Sequence, residues 1–434
     1  MRPRRALPPA ILLGGAVTTL SVARSLGSAG VEVVILSDDV TDCLGRHSRY
    51  CRRYVHFGPE AGVDVKDRWM DWIAGFDEPA VVLPCCDEGV ELVARHRRTL
   101  IDAGHLPIEA ADDVLLAMLD KTKTYRLAAA IGVVAPRMVT AHRPDDTSAA
   151  LDEGLTFPCA VKPTRSDAAV RKLPGYKSSK GTVVHDDAEL AAAVGILFSV
   201  DVGALITEII PGGDDRFCSY YTYLDEEGEP LLHFTKRKPR QFPIAFGTGT
   251  YHVTKWQPDV AELGLRFFQG VGLRGLGNVE FKRDERDGQL KLIECNPRFT
   301  MANGLARLAG IDFALLAYNR LVGRGLPPLE SFRDDVSLWF PREDLRALRA
   351  YRASGELSTT EWLRTVAHVQ HFPTFAWSDP KPWLAGVRAG LRRMGAGARR
   401  PAVPSPAAPA VPSPAAPAVP SGDDRGGPAA TSTP

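Results

Sequence analysis

Short apolar runs alternate with stretches of helical spacing over the first 118 residues. The runs are rich in valine, isoleucine and leucine, as buried strands are, and the stretches between them place apolar residues on one helical face. The predicted strands are residues 10–13, 31–36, 50–57 and 80–84, and the predicted helices are residues 18–27 and 65–75. A strand–helix–strand order is typical of a parallel sheet with crossover helices. The pattern therefore predicts a Rossmann-like α/β domain over residues 1–118.

The start of the chain has an alternative interpretation. Residues 1–5 contain three arginines, and the apolar and small residues after them imitate a secretory signal peptide. Because the apolar run continues into a complete strand–helix–strand unit, we expect a mature, cytoplasmic start instead. No other stretch is long and apolar enough to cross a bilayer. Gly14 and Gly15 permit a tight turn but lack the GxGxxG spacing, so a nicotinamide site is not expected.

From residue 119 the pattern changes to alternating strands with fewer helices. Predicted elements are a helix at 124–132, strands at 157–163 and 204–210, a strand pair within 278–298 and an amphipathic helix at 302–322. Residues 119–325 are therefore expected to form a second, α+β domain.

The end of the chain differs from both domains. Residues 326–395 contain short helical segments and are expected to form a C-terminal appendage. Its last part, from Trp383, is basic and partly amphipathic, which fits either a frayed terminal helix or contact with an anionic membrane surface. The unit VPSPAAPA then recurs, so residues 396–434 are expected to be a disordered, polyproline-like tail.

Charge and cysteine content exclude several classes of protein. The 53 basic and 52 acidic residues nearly balance, so no bulk electrostatic attraction to nucleic acid is expected. The seven cysteines show no CxxC or Cys/His metal spacing, and their odd number argues against a complete disulfide framework. We therefore expect a protein of the reducing cytoplasm.

Residues 278–298 carry the clearest chemistry. Glu294 and Asn296 alternate on one strand and so share a face, which Glu280 on the partner strand can join. Two carboxylates and an amide form an oxygen-rich site of the kind that holds Mg²⁺ with nucleotide phosphates. Arg298 follows directly and presents donors that match phosphate. The alternative is an ordinary amphipathic hairpin with solvated carboxylates.

The register of this hairpin decides between the two interpretations. A two-residue turn at Asp287 and Gly288 would put Glu280 and Glu294 on opposite faces. The metal site therefore requires a loop of odd length, and three- and five-residue hairpin loops are common.

Several lysines and arginines stand where they could bind phosphate. Lys162 ends an apolar strand before a proline, and Lys121 opens a helix. The stretch 164–182 is basic and is a candidate lid, although it has few glycines. A further basic run contains Lys238 and Arg240, and it is either a solvated edge strand or part of the same cleft.

Glu280 with the run ECNPR at 294–298 resembles the C-terminal signature of the ATP-grasp superfamily of carboxylate–amine ligases. The basic run resembles the KxRQxP stretch of a ligase group that includes D-aspartate ligases. The resemblance implies that residues 119–325 form a two-lobed ATP-grasp domain after the Rossmann-like one, with a small lobe at about residues 140–210. The site residues that it implies are Lys121 and Lys162 on the nucleotide phosphates, Glu208, Ile209 and Ile210 at the interlobe hinge, Asp215 as a weaker ribose candidate, Glu280, Glu294 and Asn296 as metal ligands, and Arg298, Lys238 and Arg240 as catalytic cations.

The resemblance also implies a function. ATP and Mg²⁺ (or Mn²⁺) would activate a substrate carboxylate as an acyl phosphate, which an amine then displaces. Small-molecule substrates, an amino acid or a peptide among them, would be the partners, and a homodimer is one of the assemblies left open. An ATP-grasp enzyme with another acceptor and a non-catalytic ATP-binding module are the alternatives.

Overall fold

A five-stranded parallel sheet forms the first part of the chain in the computed structural model, which describes residues 7–38, 43–58, 60, 62–143, 146–147, 154–164, 173, 181–326 and 331–397. Its strand order is β3-β2-β1-β4-β5. The strands are β1 (Ala10–Leu13), β2 (Val33–Ser37), β3 (Cys51–His56), β4 (Val81–Pro84) and β5 (Leu106–Pro107). The helices are α1 (Ala16–Ser28), α2 (Val65–Ala74), α3 (Asp87–Asp102) and α4 (Asp112–Leu119). The predicted Rossmann-like pattern is confirmed, because every residue of β1, β2 and β4 is buried as the apolar runs required.

A small antiparallel sheet follows helix α5 (Lys121–Ala130). Its strands are β6 (Met138–Ala141), β7 (Cys159–Pro163), β8 (Thr182–Val184) and β9 (Ala204–Glu208), in the order β6-β9-β7-β8, and α6 (Asp187–Phe198) packs on it. Its apolar residues form a cluster of their own. This is the predicted small lobe. Most of the candidate lid, residues 165–172 and 174–180, lies outside the described residues.

A six-stranded antiparallel sheet forms the large lobe, in the order β14-β13-β10-β11-β12-β15. The strands are β10 (Phe217–Leu224), β11 (Pro230–Phe242), β12 (Thr248–Thr254), β13 (Gly275–Arg283), β14 (Leu290–Asn296) and β15 (Ser337–Trp339), with α7 (Pro258–Gly270) between β12 and β13. Two apolar clusters run from the first sheet into this one. The edge-strand interpretation of the basic run is wrong, because β11 pairs with β10 on one side and β12 on the other.

The long amphipathic helix predicted at 302–322 is two helices, α8 (Asn303–Ala309) and α9 (Phe313–Leu321). Gly310 ends α8 with a φ of +108°, a left-handed conformation that favours glycine. The Asp312 side chain then accepts from the backbone N–H of Leu315 and caps α9. The prediction was wrong at this point because the apolar spacing continues across both helices while the chain turns.

The C-terminal segment contacts both the large lobe and the first domain rather than standing apart. Besides β15 it contains α10 (Pro341–Ser354), α11 (Thr359–Val366) and α12 (Lys381–Gly397). The buried Asp379 carboxylate accepts from Arg24 at 3.1 Å, Ser48 at 2.7 Å and the backbone of Arg49 at 2.9 Å, all in the first domain. The predicted domain boundaries stay predictions, and the tail from residue 398 lies outside the described residues. No helix of the described residues is long and apolar enough to cross a membrane.

Candidate active site

A β-bulge brings the two glutamates together. Glu280 on β13 lies directly opposite Glu294 on β14, and Asn278 lies opposite Asn296. Nearer the turn, Arg283 lies opposite Leu290, so the connecting loop has six residues and not the expected odd number. The register shifts between Glu280 and Phe281, because Ile293 is an extra residue on β14. The expectation of an odd loop was wrong, since an extra residue within the strand has the same effect on register as one in the turn.

The bulge has specific partners on both sides. The backbone N–H of Leu292 donates to the Val134 carbonyl at 2.8 Å, and the Tyr125 hydroxyl on α5 donates to the Ile293 carbonyl at 3.0 Å. Burial raises the pKa of Tyr125, so its hydroxyl keeps the proton that it donates. Helix α5 therefore fixes the conformation of β14 at the point where Glu294 is presented.

Three cations surround the glutamate pair. Lys238 Nζ lies 2.8 Å from Glu280 Oε1 and 3.9 Å from the centre of the Phe217 ring. Lys121 Nζ lies 3.4 Å from Glu294 Oε1. Arg298 donates through Nε to Asp87 Oδ1 at 2.6 Å, at the first residue of α3. Burial alone would lower the pKa of Arg298, but the Asp87 and Glu294 charges raise it, so the guanidinium stays charged.

The donor set fits Mg²⁺ held together with a nucleotide. Among the described residues, no group of three or more histidine, cysteine, aspartate or glutamate side chains is arranged to hold a metal alone. Mg²⁺ usually needs only one or two carboxylates when phosphates and water complete its shell. Glu280 and Glu294 supply the two carboxylates. Asn296 lies on β14 with Glu294, and its Nδ2 donates to Asn278 Oδ1 at 3.4 Å. The candidate ligand set is therefore sufficient only with phosphate oxygens present.

The hinge candidates lie at the end of β9. The Glu208 carboxylate accepts from the backbone N–H of Arg137 at 3.1 Å and from the guanidinium of Arg286. Ile209 and Ile210 follow the strand, so the chain leaves the small sheet here. Arg286 sits in the loop between β13 and β14, so its pairing with Glu208 links this loop to the hinge.

Lys282 is a candidate that the sequence reasoning missed. Its Nζ donates to the carbonyls of Ile210 at 2.8 Å and Gly212 at 2.6 Å, so a large-lobe cation holds the hinge backbone. Burial lowers the pKa of Lys282. The signal was present in the sequence, because a residue two positions after Glu280 on a strand must share its face.

Two further candidates border the same region. Lys162 is the last residue but one of β7, with Nζ 5.8 Å from the centre of the Phe246 ring, so a small-lobe lysine contacts the loop after β11. Asp215 is exposed on a short 3₁₀ turn. Its neighbour Asp214 is buried and binds Gln241 and Tyr351, at 2.7 and 2.6 Å, and so shapes the turn.

Arg240 is not brought to the glutamate pair. Its Nε and Nη2 donate to the two oxygens of Asp344 on α10, at 2.8 and 2.9 Å, and its Nη1 donates to Thr365 at 2.9 Å. The guanidinium also lies over the Tyr251 ring, 4.3 Å from its centre. The catalytic role predicted for Arg240 therefore needs correction, because these donors are engaged with the C-terminal segment. A bulge in the pairing of β11 with β12 precedes Arg240 and changes the direction of its side chain.

Lys236 is a buried lysine in the same sheet as Glu280 and Glu294. It shares a row of the sheet with Glu294, Glu280 and Ser219, and its Nζ lies 3.3 Å from His252 Nδ1. Burial lowers the pKa of Lys236 to about 8, although the Glu280 charge acts in the opposite direction. Burial also lowers the pKa of His252, so this histidine stays neutral beside the lysine.

Replacing Lys236 by methionine is expected to stabilise the protein at neutral pH. The folded pKa of about 8 lies below the ordinary value of 10.5, so between these values the unfolded chain binds more protons. Stability is therefore lost as the pH falls from 10.5 through 8, and below pH 8 the buried charge costs about 3 kcal/mol.

The free energy of unfolding in urea, from about pH 7 to about pH 10, checks this expectation. K236M should gain up to about 3 kcal/mol near pH 7, and the gain should shrink as the pH rises. Arg237 is the matched control, since it is the exposed neighbour on the same strand and R237M should gain nothing. A gain that stays constant with pH would contradict the assignment of the titrating group.

The sheets and the site define a class of fold. A Rossmann-like domain precedes a small and a large antiparallel lobe, and the chain has the ATP-grasp fold, as the sequence resemblance predicted. The structure of N5-carboxyaminoimidazole ribonucleotide synthetase with ADP superposes with a TM-score of 0.58 at 13% identity, over 78% of this chain and 82% of that one. The biotin carboxylase domain dimer of Hydrogenobacter thermophilus 2-oxoglutarate carboxylase, with MgADP and bicarbonate, gives 0.58 at 15% identity, over 77% and 74%.

Two curated relatives are similar in sequence. The D-aspartate ligase of Enterococcus faecium (strain Aus0004) is 22% identical over 54% of this chain and 56% of its own length. The D-alanine–D-alanine ligase of Xanthomonas axonopodis pv. citri (strain 306) is 28% identical over 51% of this chain and 70% of its own length. The chain thus spans little more than half of the first of these relatives. No protein-family model matches the chain.

Proposed function

We propose that the chain is an ADP-forming, Mg²⁺-dependent ligase that joins a carboxylate to an amine, with an amino acid or a peptide as substrate. The observation that carries the proposal is the pair of Glu280 and Glu294, opposite each other on one sheet and each bound by a lysine. Similarity to two amino-acid ligases supports the choice of substrate class.

In this proposal the nucleotide binds between the two lobes. Lys121 and Lys162 would bind phosphate oxygens, since both are cations that border the cleft. The main chain at Ile209 and Ile210 would bind the adenine edge, with Glu208 shaping the hinge. Lys282 would act as a positioning residue, because it holds two carbonyls of the hinge. Asp215, exposed on its turn, would accept a bond from a ribose hydroxyl.

Glu280, Glu294 and Asn296 would hold Mg²⁺ or Mn²⁺, which neutralises charge on phosphate oxygens when bound. Lys238 is the cation bound closest to this pair, at 2.8 Å from Glu280. It would stabilise the charge that develops when a carboxylate oxygen of the substrate attacks the γ-phosphorus and ADP leaves. The amine nitrogen then attacks the carbonyl carbon of the acyl phosphate, phosphate leaves, and the nitrogen gives up a proton.

Arg298 is proposed as the cation on the acceptor side. Its bond to Asp87 ties it to the start of α3 in the Rossmann-like domain, and Asp87 lines the same pocket as Lys121, Glu294 and Asn296. A guanidinium held by a carboxylate keeps donors oriented toward an oxyanion. The acceptor substrate would accordingly bind between the start of α3 and the large lobe.

The test is ADP release from Mg-ATP in the presence of pools of L- and D-amino acids, with hydroxylamine added to trap acyl phosphate. We expect ADP and a hydroxamate in one pool, which also names the first substrate. A dipeptide pool and bicarbonate are run in parallel, because the biotin carboxylase neighbour was solved with bicarbonate. ADP with bicarbonate alone would favour the other-acceptor enzyme, and ATP binding without turnover in any pool would favour a non-catalytic module.

We infer a cytoplasmic protein with small-molecule substrates and no nucleic-acid partner. The near balance of charges supports the absence of nucleic acid, and the seven free cysteines support a reducing compartment. A homodimer is the proposed assembly, since one neighbour of the same fold was solved as a domain dimer. Light scattering in solution tests it, and a monomer mass would overturn it.

A further inference from the structure

The C-terminal helix α12 faces solvent with its large apolar side chains. Trp383, Leu384, Val387 and Leu391 are 41%, 41%, 42% and 58% exposed. The half-buried residues of the helix are small instead, namely Ala385, Gly386, Ala389 and Gly390. Gly386 faces Leu44, whose side chain would lie 3.7 Å from a Cβ added at this glycine.

This arrangement is the reverse of an ordinary surface helix, whose large apolar residues face the core. The aromatic residues before the helix extend the same surface. Trp377 is 90% exposed, and Phe375 contacts both Trp377 and Trp383, with ring centres 4.9 and 5.6 Å apart. We call the surface formed by Trp377, Trp383, Leu384, Val387 and Leu391 the apolar strip.

Basic residues flank the apolar strip. Lys381, Arg388 and Arg392 are exposed on the same helix, and residues 380–400 contain no acidic residue. The neighbouring 3₁₀ helix Leu44–His47 contacts α12, and Arg46 and Arg49 are exposed beside it. Residues 44–56 also lack an acidic residue. The overall charge of +1 therefore conceals a locally cationic face.

We propose that the apolar strip with its flanking cations binds an anionic membrane surface. The tryptophan, leucine and valine side chains can insert at the boundary between lipid headgroups and acyl chains. The flanking arginines can then bind anionic headgroups. A second copy of the same surface would oppose cation with cation. The Pro/Ala-rich tail offers only valine as a larger apolar side chain, so it is a poor cover for the strip.

The test measures cosedimentation of the full chain with lipid vesicles. Vesicles of phosphatidylcholine are compared with vesicles that contain about 30% phosphatidylglycerol, at low and high salt. We expect at least about tenfold stronger partitioning onto the anionic vesicles, and a loss of this preference at high salt. R388E/R392E should partition at least about tenfold more weakly onto the anionic vesicles, and L391S should partition more weakly onto both kinds of vesicle.

Matched controls come from other exposed helices. R95E/R98E reverses two exposed arginines on α3, and L363S removes the exposed leucine of α11, which is 52% exposed. Both controls should bind as the unchanged chain does. Equal partitioning on both vesicle types, or R388E/R392E binding as before, would overturn the proposal. So would a dimer that L391S dissociates, because the strip would then cover a second copy. None of these outcomes depends on ligase activity.

Discussion

Glu294→Gln is expected to abolish ATP turnover and leave the fold intact. The substitution keeps the size of the side chain but removes one of two carboxylates that lie opposite each other across β13 and β14. The variant loses the carboxylate that pairs with Lys121, so Glu280 alone must offset the charges of Lys121, Lys238 and Arg298 around the divalent cation, and the cation should bind more weakly and out of position. ADP release should fall at least about 100-fold, which corresponds to about 3 kcal/mol of transition-state stabilisation.

Glu285→Gln is the matched control. Glu285 belongs to the loop between the same two strands, and its half-exposed carboxylate lies 3.8 Å from Arg216, away from the sheet face. E285Q should release ADP at the unchanged rate. Thermal unfolding of E294Q should match that of the unchanged chain, because Glu294 is partly exposed. Unchanged turnover in E294Q would refute the metal assignment. If E294Q instead unfolds at a much lower temperature, its loss of turnover would not report on the metal site. E280Q, which removes the other carboxylate, is then the variant that tests the assignment.

Asp344→Asn is expected to lower the free energy of unfolding rather than to change the catalytic step directly. The Asp344 carboxylate is fully buried and accepts from Arg240, Thr250 and the indoles of Trp339 and Trp362. The neutral amide leaves the buried Arg240 guanidinium without its counter-charge. Breaking one partner of a buried pair typically costs about 3–5 kcal/mol, and urea unfolding measures this loss.

A double-mutant cycle separates the structural role of Arg240 from a catalytic one. R240M, D344N and the double variant are compared with D334N, which removes an exposed acid near the same sheet. If the role of Arg240 is to bind Asp344, the two single variants should not lower the free energy of unfolding additively. The double variant should lose much less than the sum of the two single losses. Additive losses in stability, together with a selective loss of turnover in R240M, would restore the catalytic prediction. D334N should stay within about 0.5 kcal/mol of the unchanged chain.

Most of the fold could be predicted from the sequence, because the patterns that indicate its strands and helices lie within short stretches of the chain. The apolar runs of β1, β2 and β4 need burial on both faces, and a parallel sheet under helices provides it. Gly310 and Asp312 mark the break between α8 and α9, whereas the apolar spacing continues across it, so the spacing predicts one helix where the structure has two. A glycine in left-handed conformation followed by a capping aspartate is a stronger signal than periodicity at a helix end.

The basic run on β11 shows the limit of local reasoning. Lys236, Lys238 and Arg240 share one strand and all are buried, yet they serve different partners, namely His252, Glu280 and Asp344. Alternation predicts one face for three residues spaced by two. A bulge after Arg237 in the pairing with β12 breaks the alternation, and bulges leave no reliable mark in sequence. Only the neighbouring strands and α10 decided where Arg240 points.

The sequence by itself determined the Rossmann-like alternation and the chemistry of residues 278–298, because residue type and spacing encode burial, strand faces and ligand class. The tertiary structure decided whether Glu280 and Glu294 meet. Their pairing depends on the extra residue Ile293, whose carbonyl is bound by Tyr125 from a helix about 170 positions earlier. Register is set by such distant hydrogen bonds, since a slip of one residue along a strand exchanges its two faces.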